Sequence, residues 1–204
     1  YKTAEPGLIF WSTMSDYSPS NYVGRPIIST NPCAEVPLED GGACNLGSLN
    51  LSRFVIDGYQ NNARINWDQL AESSQLLVRF LDNVVTWNED LNALEKQRKA
   101  ASETRRLGLG VMGIADMLNQ LGVAYDSEQG VMIIEKVMEY ITNAAYQASS
   151  FIAKEKDPSP IFDEKAYMEC PFVKEALSEQ THTMIRKNGL RNIAIMSIAP
   201  TGSI

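Results

Sequence analysis

Cysteine is scarce in this chain: 204 residues contain three, Cys33, Cys44 and Cys170. A sparse, odd set cannot build the disulfide framework of a small secreted domain, so a reducing compartment, the cytoplasm, is expected. Histidine is scarcer still. His182 is the one imidazole, which leaves no close set of about four ligands for structural zinc, and no metal ligands are assigned. Flanked by Thr181, Thr183 and Arg186, His182 reads as an exposed residue on a polar helix face rather than as the partner of a nucleophilic thiol. Positive charge is also short, with 18 Lys and Arg against 25 Asp and Glu, a net charge of -7 and no basic block. Nothing concentrates charge to neutralise a nucleic-acid backbone, although a few N–H groups and hydroxyls can still hold a small phosphate. No apolar run approaches the roughly 20 residues of a membrane helix, and no charged-then-apolar leader opens the chain. Repeats and low-complexity segments are absent. The chain opens on Tyr1 and closes directly after a turn-like Pro200-Thr201-Gly202-Ser203, so both ends read as cut.

What is present is enough apolar residue, 44% of the total, for a packed core. Gly7 to Thr13 reads as a short buried strand, Ser15 to Arg25 as a loop, and Leu46 to Val55 as a second strand by alternation. Asn66 is placed to cap a helix from Trp67, whose Leu70, Leu77, Phe80, Leu81, Val84 and Val85 share one face. Asn88 to Thr104 is charged and is assigned no chemistry. Asp126 with Gln129 resembles a capping box ahead of a helix carrying Ile134, Val137, Met138, Ile141, Ala145 and Ala148 on one stripe. Asp157-Pro158-Ser159-Pro160 breaks the chain. Phe172 to Lys187 reads as one helix stopped by Asn188-Gly189, and Ile193 to Ile198 as a short apolar strand. Strands alternating with helices predict an α/β fold.

Gly108, Gly110 and Gly113 formally match a dinucleotide-binding pattern. That motif requires a full crossover helix and an acidic residue about twenty positions on. The helix after Gly113 ends near Leu121-Gly122 and no such acid follows, so close backbone packing is the better account of the glycines. Cys33 follows Pro32, whose fixed φ places the thiol on a constrained turn. If the segment is extended, Glu35 lies on the same side and could serve as a base near the thiol. The residues alone leave a redox thiol and a buried structural cysteine both open; Cys170, in Met168-Glu169-Cys170-Pro171, reads as structural.

Asn31-Pro32-Cys33-Ala34-Glu35 resembles the finger-loop motif of the ribonucleotide reductase catalytic subunit. Ala43-Cys44-Asn45-Leu46-Gly47-Ser48, Arg106-Leu107-Gly108-Leu109-Gly110-Val111-Met112-Gly113 and Ala199-Pro200-Thr201-Gly202-Ser203 resemble further motifs of that family, in order along the chain. The resemblance implies part of a ten-stranded α/β barrel over residues 1–204, with a central finger loop at about 29–50. It implies that Cys33 is the thiyl-radical cysteine that takes hydrogen from the ribose 3′ carbon, with Glu35 as general base for the 3′ hydroxyl and Asn31 hydrogen-bonding the sugar. Cys44 would be half of the reducing dithiol, its partner lying upstream of Tyr1. Pro200, Thr201, Gly202 and Ser203 would form the substrate phosphate turn. The wording is most similar to the adenosylcobalamin-dependent class, and the alternative within the family is a class I subunit whose radical comes from a metal-containing partner subunit. Outside catalysis, a nucleotide-binding module derived from a reductase and a purely structural α/β domain are the rival readings. The implied partners are a ribonucleoside di- or triphosphate, a thioredoxin- or glutaredoxin-type reductant, and a second copy in a homodimer at full length. These 204 residues alone are expected to be inactive.

Overall fold

The computed structural model describes residues 2, 7–43 and 45–204. Two short helices, α1 (Trp11–Asp16) and α2 (Pro19–Tyr22), lead into strands β1 (Ile27–Thr30), β2 (Pro37–Glu39) and β3 (Leu46–Asn50). A 3-10 turn at Leu51–Phe54 separates β3 from β4 (Val55–Ile56) and β5 (Arg64–Ile65). Then follow α3 (Trp67–Leu91), α4 (Glu95–Thr104), β6 (Gly108–Met112), α5 (Ile114–Gln120), α6 (Glu128–Lys156), α7 (Glu164–Met168), α8 (Pro171–Ala176) and α9 (Glu179–Asn188). The described strands form three two-stranded sheets, two antiparallel hairpins (β1–β2 and β4–β5) and the parallel pair β3–β6.

The parallel pair is the centre. Leu46 lies opposite Gly108 and Asn50 opposite Met112. On the other side of β6, Leu107 and Leu109 donate their N–H groups to the carbonyls of Ala194 and Ile195, at 2.9 and 2.7 Å, and Ser197 N–H returns to Leu109 O at 2.9 Å. Residues 194–197 therefore run parallel to β6 as a third extended segment, bridged at Leu109 and Met196. Parallel neighbours need crossovers, and α3–α4 and α5–α9 supply them. β6 is buried on both faces, which accounts for its unbroken apolar run between glycines.

Helix α3 begins where Asn66 Oδ1 accepts the Gln69 N–H, as its sequence predicts. Its inner stripe is Leu70, Ser74, Val78, Leu81, Asp82 and Val85, all buried, whereas Phe80 is 60% exposed. Helix α6 buries Val137, Ile141, Ala145 and Ala148 against it, with Ile134 and Met138 at the margin. Its N-cap is Ser127, which accepts from Gly130 N–H, rather than Asp126.

Three other segments differ from the sequence reading. Residues 7–10 form no strand and Trp11 starts α1; with no ladder partner the run lies at the surface, Leu8 87% and Phe10 75% exposed. The loop expected at Ser15 to Arg25 contains α2. The helix expected over Phe172 to Lys187 is two, because Ser178 caps α9 by accepting from Thr181 N–H while Asn143 Oδ1, on α6, takes the Ser178 N–H at 2.8 Å. His182 is buried in that arrangement, its Nε2 2.8 Å from Val173 O. Cys170 is fully buried, and burial pushes its thiol pKa up.

Two consecutive arginines tie the layers together. Arg105, in a left-handed conformation with φ of 46°, sends its guanidinium to Asp82 Oδ1 at 2.8 Å, Glu89 Oε1 at 2.7 Å and Thr86 Oγ1 at 2.6 Å, all on α3. Asn192 Nδ2 joins this group, donating to Asp82 Oδ1 at 3.0 Å and to Arg105 O at 2.9 Å. Arg106 turns the opposite way and grips Glu39, at the end of β2, through Nε at 3.0 Å and Nη2 at 2.6 Å. Thr104 Oγ1 donates to the other Glu39 oxygen at 2.8 Å, and Ser20 Oγ accepts from Arg106 Nη2 at 2.9 Å. Both partners of this pair are buried, with 6% and 2% side-chain exposure. Removing one member would leave the other charged and uncompensated, a loss of about 3–5 kcal/mol. Arg106→Ala in the full-length protein is accordingly expected to lower the urea unfolding midpoint by that equivalent, with Glu39→Gln/Arg106→Met recovering much of the loss; equal midpoints for Arg106→Ala and wild type would refute the clamp.

Candidate active site

Residues 31–36 connect β1 to β2, so Cys33 sits at the tip of a hairpin. The local sequence dictates the loop. Asn31 O accepts the Ala34 N–H at 3.0 Å, closing a four-residue turn with Pro32 and Cys33 at its centre, the position where a fixed proline φ is favourable. Asn31 Oδ1 then accepts the Val36 N–H at 2.9 Å, while Asn31 N–H donates to Val36 O at 3.2 Å. Asn31 thus shapes the loop with both its amide and its backbone. Ala34 has φ of 64°, a left-handed conformation that costs an L-residue about 1–2 kcal/mol.

The segment is therefore a reverse turn, and the extended geometry expected to bring Cys33 and Glu35 to one side is not what the chain adopts. The Cys33 thiol is exposed. Glu35 is half-buried, and its Oε2 is fully buried without a hydrogen-bond partner among the described residues. A carboxylate oxygen held out of water with no donor is available to accept a proton or a hydroxyl hydrogen bond. Cys44 lies outside the described residues. Its neighbours Ala43 and Asn45 line a cleft of about 130 Å³ with Val84, Val85, Thr104 and Arg106.

The Pro200 to Ser203 turn follows the third extended segment. Thr201 has φ of 52°, uncommon for a β-branched residue and of a kind that clusters at binding sites. Pro200, Gly202 and Ser203 are exposed. One side chain that sequence reasoning passed over joins the hairpin to the segment ahead of this turn. Ser197 Oγ, 162 residues along the chain, donates to Glu35 O at 2.9 Å. Thr201 is four residues further on, at most about 14 Å away along an extended chain.

Gly110 makes this approach possible. A Cβ built there would overlap Ser197 O, and one on Gly108 would overlap the Leu46 side chain. The glycines are packing residues, as the sequence predicts, and the packing they allow lies directly under the candidate site. Glu39 and Arg106, which fix the base of the hairpin, were also missed; the available signal was an Arg-Arg pair immediately before an apolar strand, where exposed charge is out of place. The structure joins the Glu35 backbone to the extended segment that leads into residues 200–203. Five clefts of about 130–490 Å³ among the described residues are lined by other side chains.

Fold and site together define an α/β domain that presents an exposed thiol and a half-buried carboxylate on one hairpin turn. The chain belongs to the ribonucleotide reductase barrel-domain family, whose model matches residues 1–204. It is 38% identical over 200 residues to the vitamin B12-dependent ribonucleoside-diphosphate reductase of Mycobacterium tuberculosis, covering 98% of this chain and 25% of that protein. To the enzyme of the same description from Thermoplasma acidophilum it is 39% identical over 204 residues, covering 100% and 24%. The ribonucleoside-diphosphate reductase alpha subunit of Chlamydia pneumoniae is 30% identical over 231 aligned positions, covering 100% and 21%. Among solved structures, the class Id ribonucleotide reductase alpha subunit of Actinobacillus ureae superposes with a TM-score of 0.72 at 23% identity, over 99% of this chain and 34% of that one. The chain spans about a quarter of the length of the curated relatives it matches. No described helix is long and apolar enough to cross a membrane.

The two described cysteines differ sharply in setting: Cys33 is exposed, while Cys170 is buried with its thiol pKa raised chiefly by desolvation. Thiolate is the reactive form, so iodoacetamide at pH 8 is expected to modify Cys33 in the native full-length protein and to spare Cys170 until denaturant is added. Peptide mass spectrometry checks this, and native labelling of Cys170 at the Cys33 rate would contradict it.

Proposed function

We propose that the full-length protein reduces ribonucleoside diphosphates to 2′-deoxyribonucleoside diphosphates by a thiyl-radical mechanism, with these residues forming part of a ten-stranded α/β barrel around the 29–50 finger loop. The observation that supports the reading is the Ser197–Glu35 link, a hydrogen bond from the segment ahead of the Thr201 turn to the backbone of the Asn31 to Glu35 loop. In this mechanism the Cys33 sulfur radical takes the hydrogen atom from the ribose 3′ carbon and becomes a thiol. Glu35 accepts the 3′ hydroxyl proton, and Asn31 orients the sugar. The 2′ hydroxyl takes a proton supplied by the thiol pair and leaves as water. Cys44 and a second thiol together give two electrons and become a disulfide, which a thioredoxin- or glutaredoxin-type dithiol reduces. Cys33 then returns its hydrogen atom to the 3′ carbon and the sulfur radical is regenerated. Thr201 and Ser203 hydroxyls and the turn N–H groups of residues 201–203 hold the substrate phosphates. Positioning of this kind can supply several kcal/mol of the barrier.

Adenosylcobalamin, when bound, supplies the means of starting the radical at sulfur. The exposed position of Cys33 fits an initiator that approaches from outside this loop. Ligation of cobalt is not assigned to these residues, because the single imidazole, His182, is buried against Val173 O. The vitamin B12-dependent relatives support this class over a class I subunit. Their alignment to Thermoplasma runs 204 positions for 204 residues, whereas the Chlamydia alpha subunit requires 231. A cytoplasmic, reducing setting suits a chemistry that depends on free thiols.

In the full-length protein supplied with a ribonucleoside diphosphate, a dithiol and adenosylcobalamin, Cys33→Ala is expected to abolish deoxyribonucleotide formation. Glu35→Gln should lower turnover by about 10²- to 10⁴-fold, the usual contribution of a general base. Undiminished turnover in Cys33→Ala would favour a nucleotide-binding module over an enzyme, and turnover that needs a metal-containing partner subunit instead of adenosylcobalamin would favour class I.

A further inference from the structure

We infer that Ser197 is a positioning residue for the Cys33–Glu35 loop, holding its strained turn in the conformation that aims the Glu35 carboxylate. Four observations lead there. The Ser197 hydroxyl, on a residue 7% exposed, donates to Glu35 O at 2.9 Å. Ser197 is itself fixed, because its N–H donates to Leu109 O at 2.9 Å and its carbonyl packs on Gly110, where no side chain stands. Between Cys33 and Glu35 stands Ala34, whose φ of 64° is one that alanine adopts only when its surroundings impose it. Among the described residues Glu35 Oε2 has no hydrogen-bond partner, so what positions this side chain is chiefly the backbone that bears it.

The loop has few other restraints near Glu35. Its internal hydrogen bonds, Ala34 N–H to Asn31 O and Val36 N–H to Asn31 Oδ1, join the loop to itself. Val36 is buried beyond it and the Glu39–Arg106 pair clamps the hairpin three residues later; the Glu35–Val36 peptide gives its N–H to Asn31 Oδ1 within the loop and its carbonyl to a partner outside it. The Ser197 hydroxyl joins the Glu35–Val36 peptide to the extended segment beside β6. One neutral hydrogen bond and one left-handed alanine are of similar size and opposite sign. Loss of the first therefore frees the second to relax, and the Glu35 backbone turns with it. The same side chain precedes the Thr201 turn, so the carboxylate and the phosphate turn share a reference point.

The conformational part of this inference stands on the geometry alone; the catalytic part rests on the function proposed above. The test uses the full-length protein as wild type, Ser197→Ala, Ala34→Gly and the double variant. Hydrogen exchange of a peptide covering residues 31–36 is expected to be about fivefold faster in Ser197→Ala, the weight of one neutral hydrogen bond, with β3 and β6 peptides unchanged. In the Ala34→Gly background, where glycine takes the left-handed conformation without penalty, the same substitution should accelerate exchange by no more than about twofold. With substrate, Ser197→Ala should lower kcat about fivefold at a KM within about twofold of wild type, because the phosphate turn keeps its backbone anchor at Leu109 O. Unchanged exchange at 31–36 would overturn the inference. So would acceleration spread equally over β3 and β6, or a rise in KM with kcat intact, since each describes a residue that only stabilises the strand. A wild-type protein without ribonucleotide reduction would remove the proposed function, and the exchange comparison would still decide what Ser197 does to the loop.

Discussion

Three backbones lie side by side at the middle of this domain, and how closely they approach sets everything around them. β3, β6 and residues 194–197 run parallel, and the spacing between β6 and residues 194–197 is one that glycine at 110 permits and a Cβ would forbid. With Ser197 drawn against Gly110, its hydroxyl comes within 2.9 Å of the Glu35 carbonyl. A packing constraint in the core is thereby converted into the location of a surface loop. The helices serve the same centre: α3 and α6 bury their apolar stripes over it, and their length, 25 and 29 residues, reflects the amphipathic faces that the crossovers must cover.

Electrostatics completes the placement. Arg105 and Arg106 are adjacent in sequence yet point to opposite sides, the first into α3 and the second into the hairpin. The left-handed φ of Arg105 ends α4 and separates the two guanidinium groups. Buried ion pairs of this sort contribute little net stability relative to apolar packing, but they penalise alternatives, because any other hairpin position strands a charge. The Cys33 loop is thus held at its base by charge, at its centre by the Asn31 side chain, and at Glu35 by one hydroxyl. These contacts leave the thiol outward and the carboxylate partly sheltered.

Much of this was legible in the residues. Periodicity located α3 and α6, Asn66 marked a true cap, and the short helix after Gly113 correctly separated a packing glycine motif from a nucleotide fold. The resemblance of four ordered motifs identified the family that the comparisons support. What was not legible depended on tertiary partners. An apolar run at residues 7–10 has the composition of a strand but no ladder to join. The break at Ser178 depends on Asn143, 35 residues away, offering an acceptor. His182 looks exposed from its neighbours and is buried because α8 folds over it. The turn at Ala34 overrides the alternation that placed Cys33 and Glu35 together, and Ser197, an ordinary serine in an apolar segment, carries no sequence signal for a contact 162 residues distant.

Under the proposed function, one ribose is reached by Cys33 and Glu35 while its phosphates rest on residues 200–203. A crystal structure of the full-length protein with a bound ribonucleoside diphosphate tests it most directly. The account predicts the 3′ carbon within about 3.5 Å of Cys33 Sγ, the near-attack distance, with the 3′ hydroxyl on Glu35 and the phosphates on Thr201, Gly202 and Ser203. A nucleotide seated with its sugar away from Cys33, or with its phosphates on another element, would contradict it.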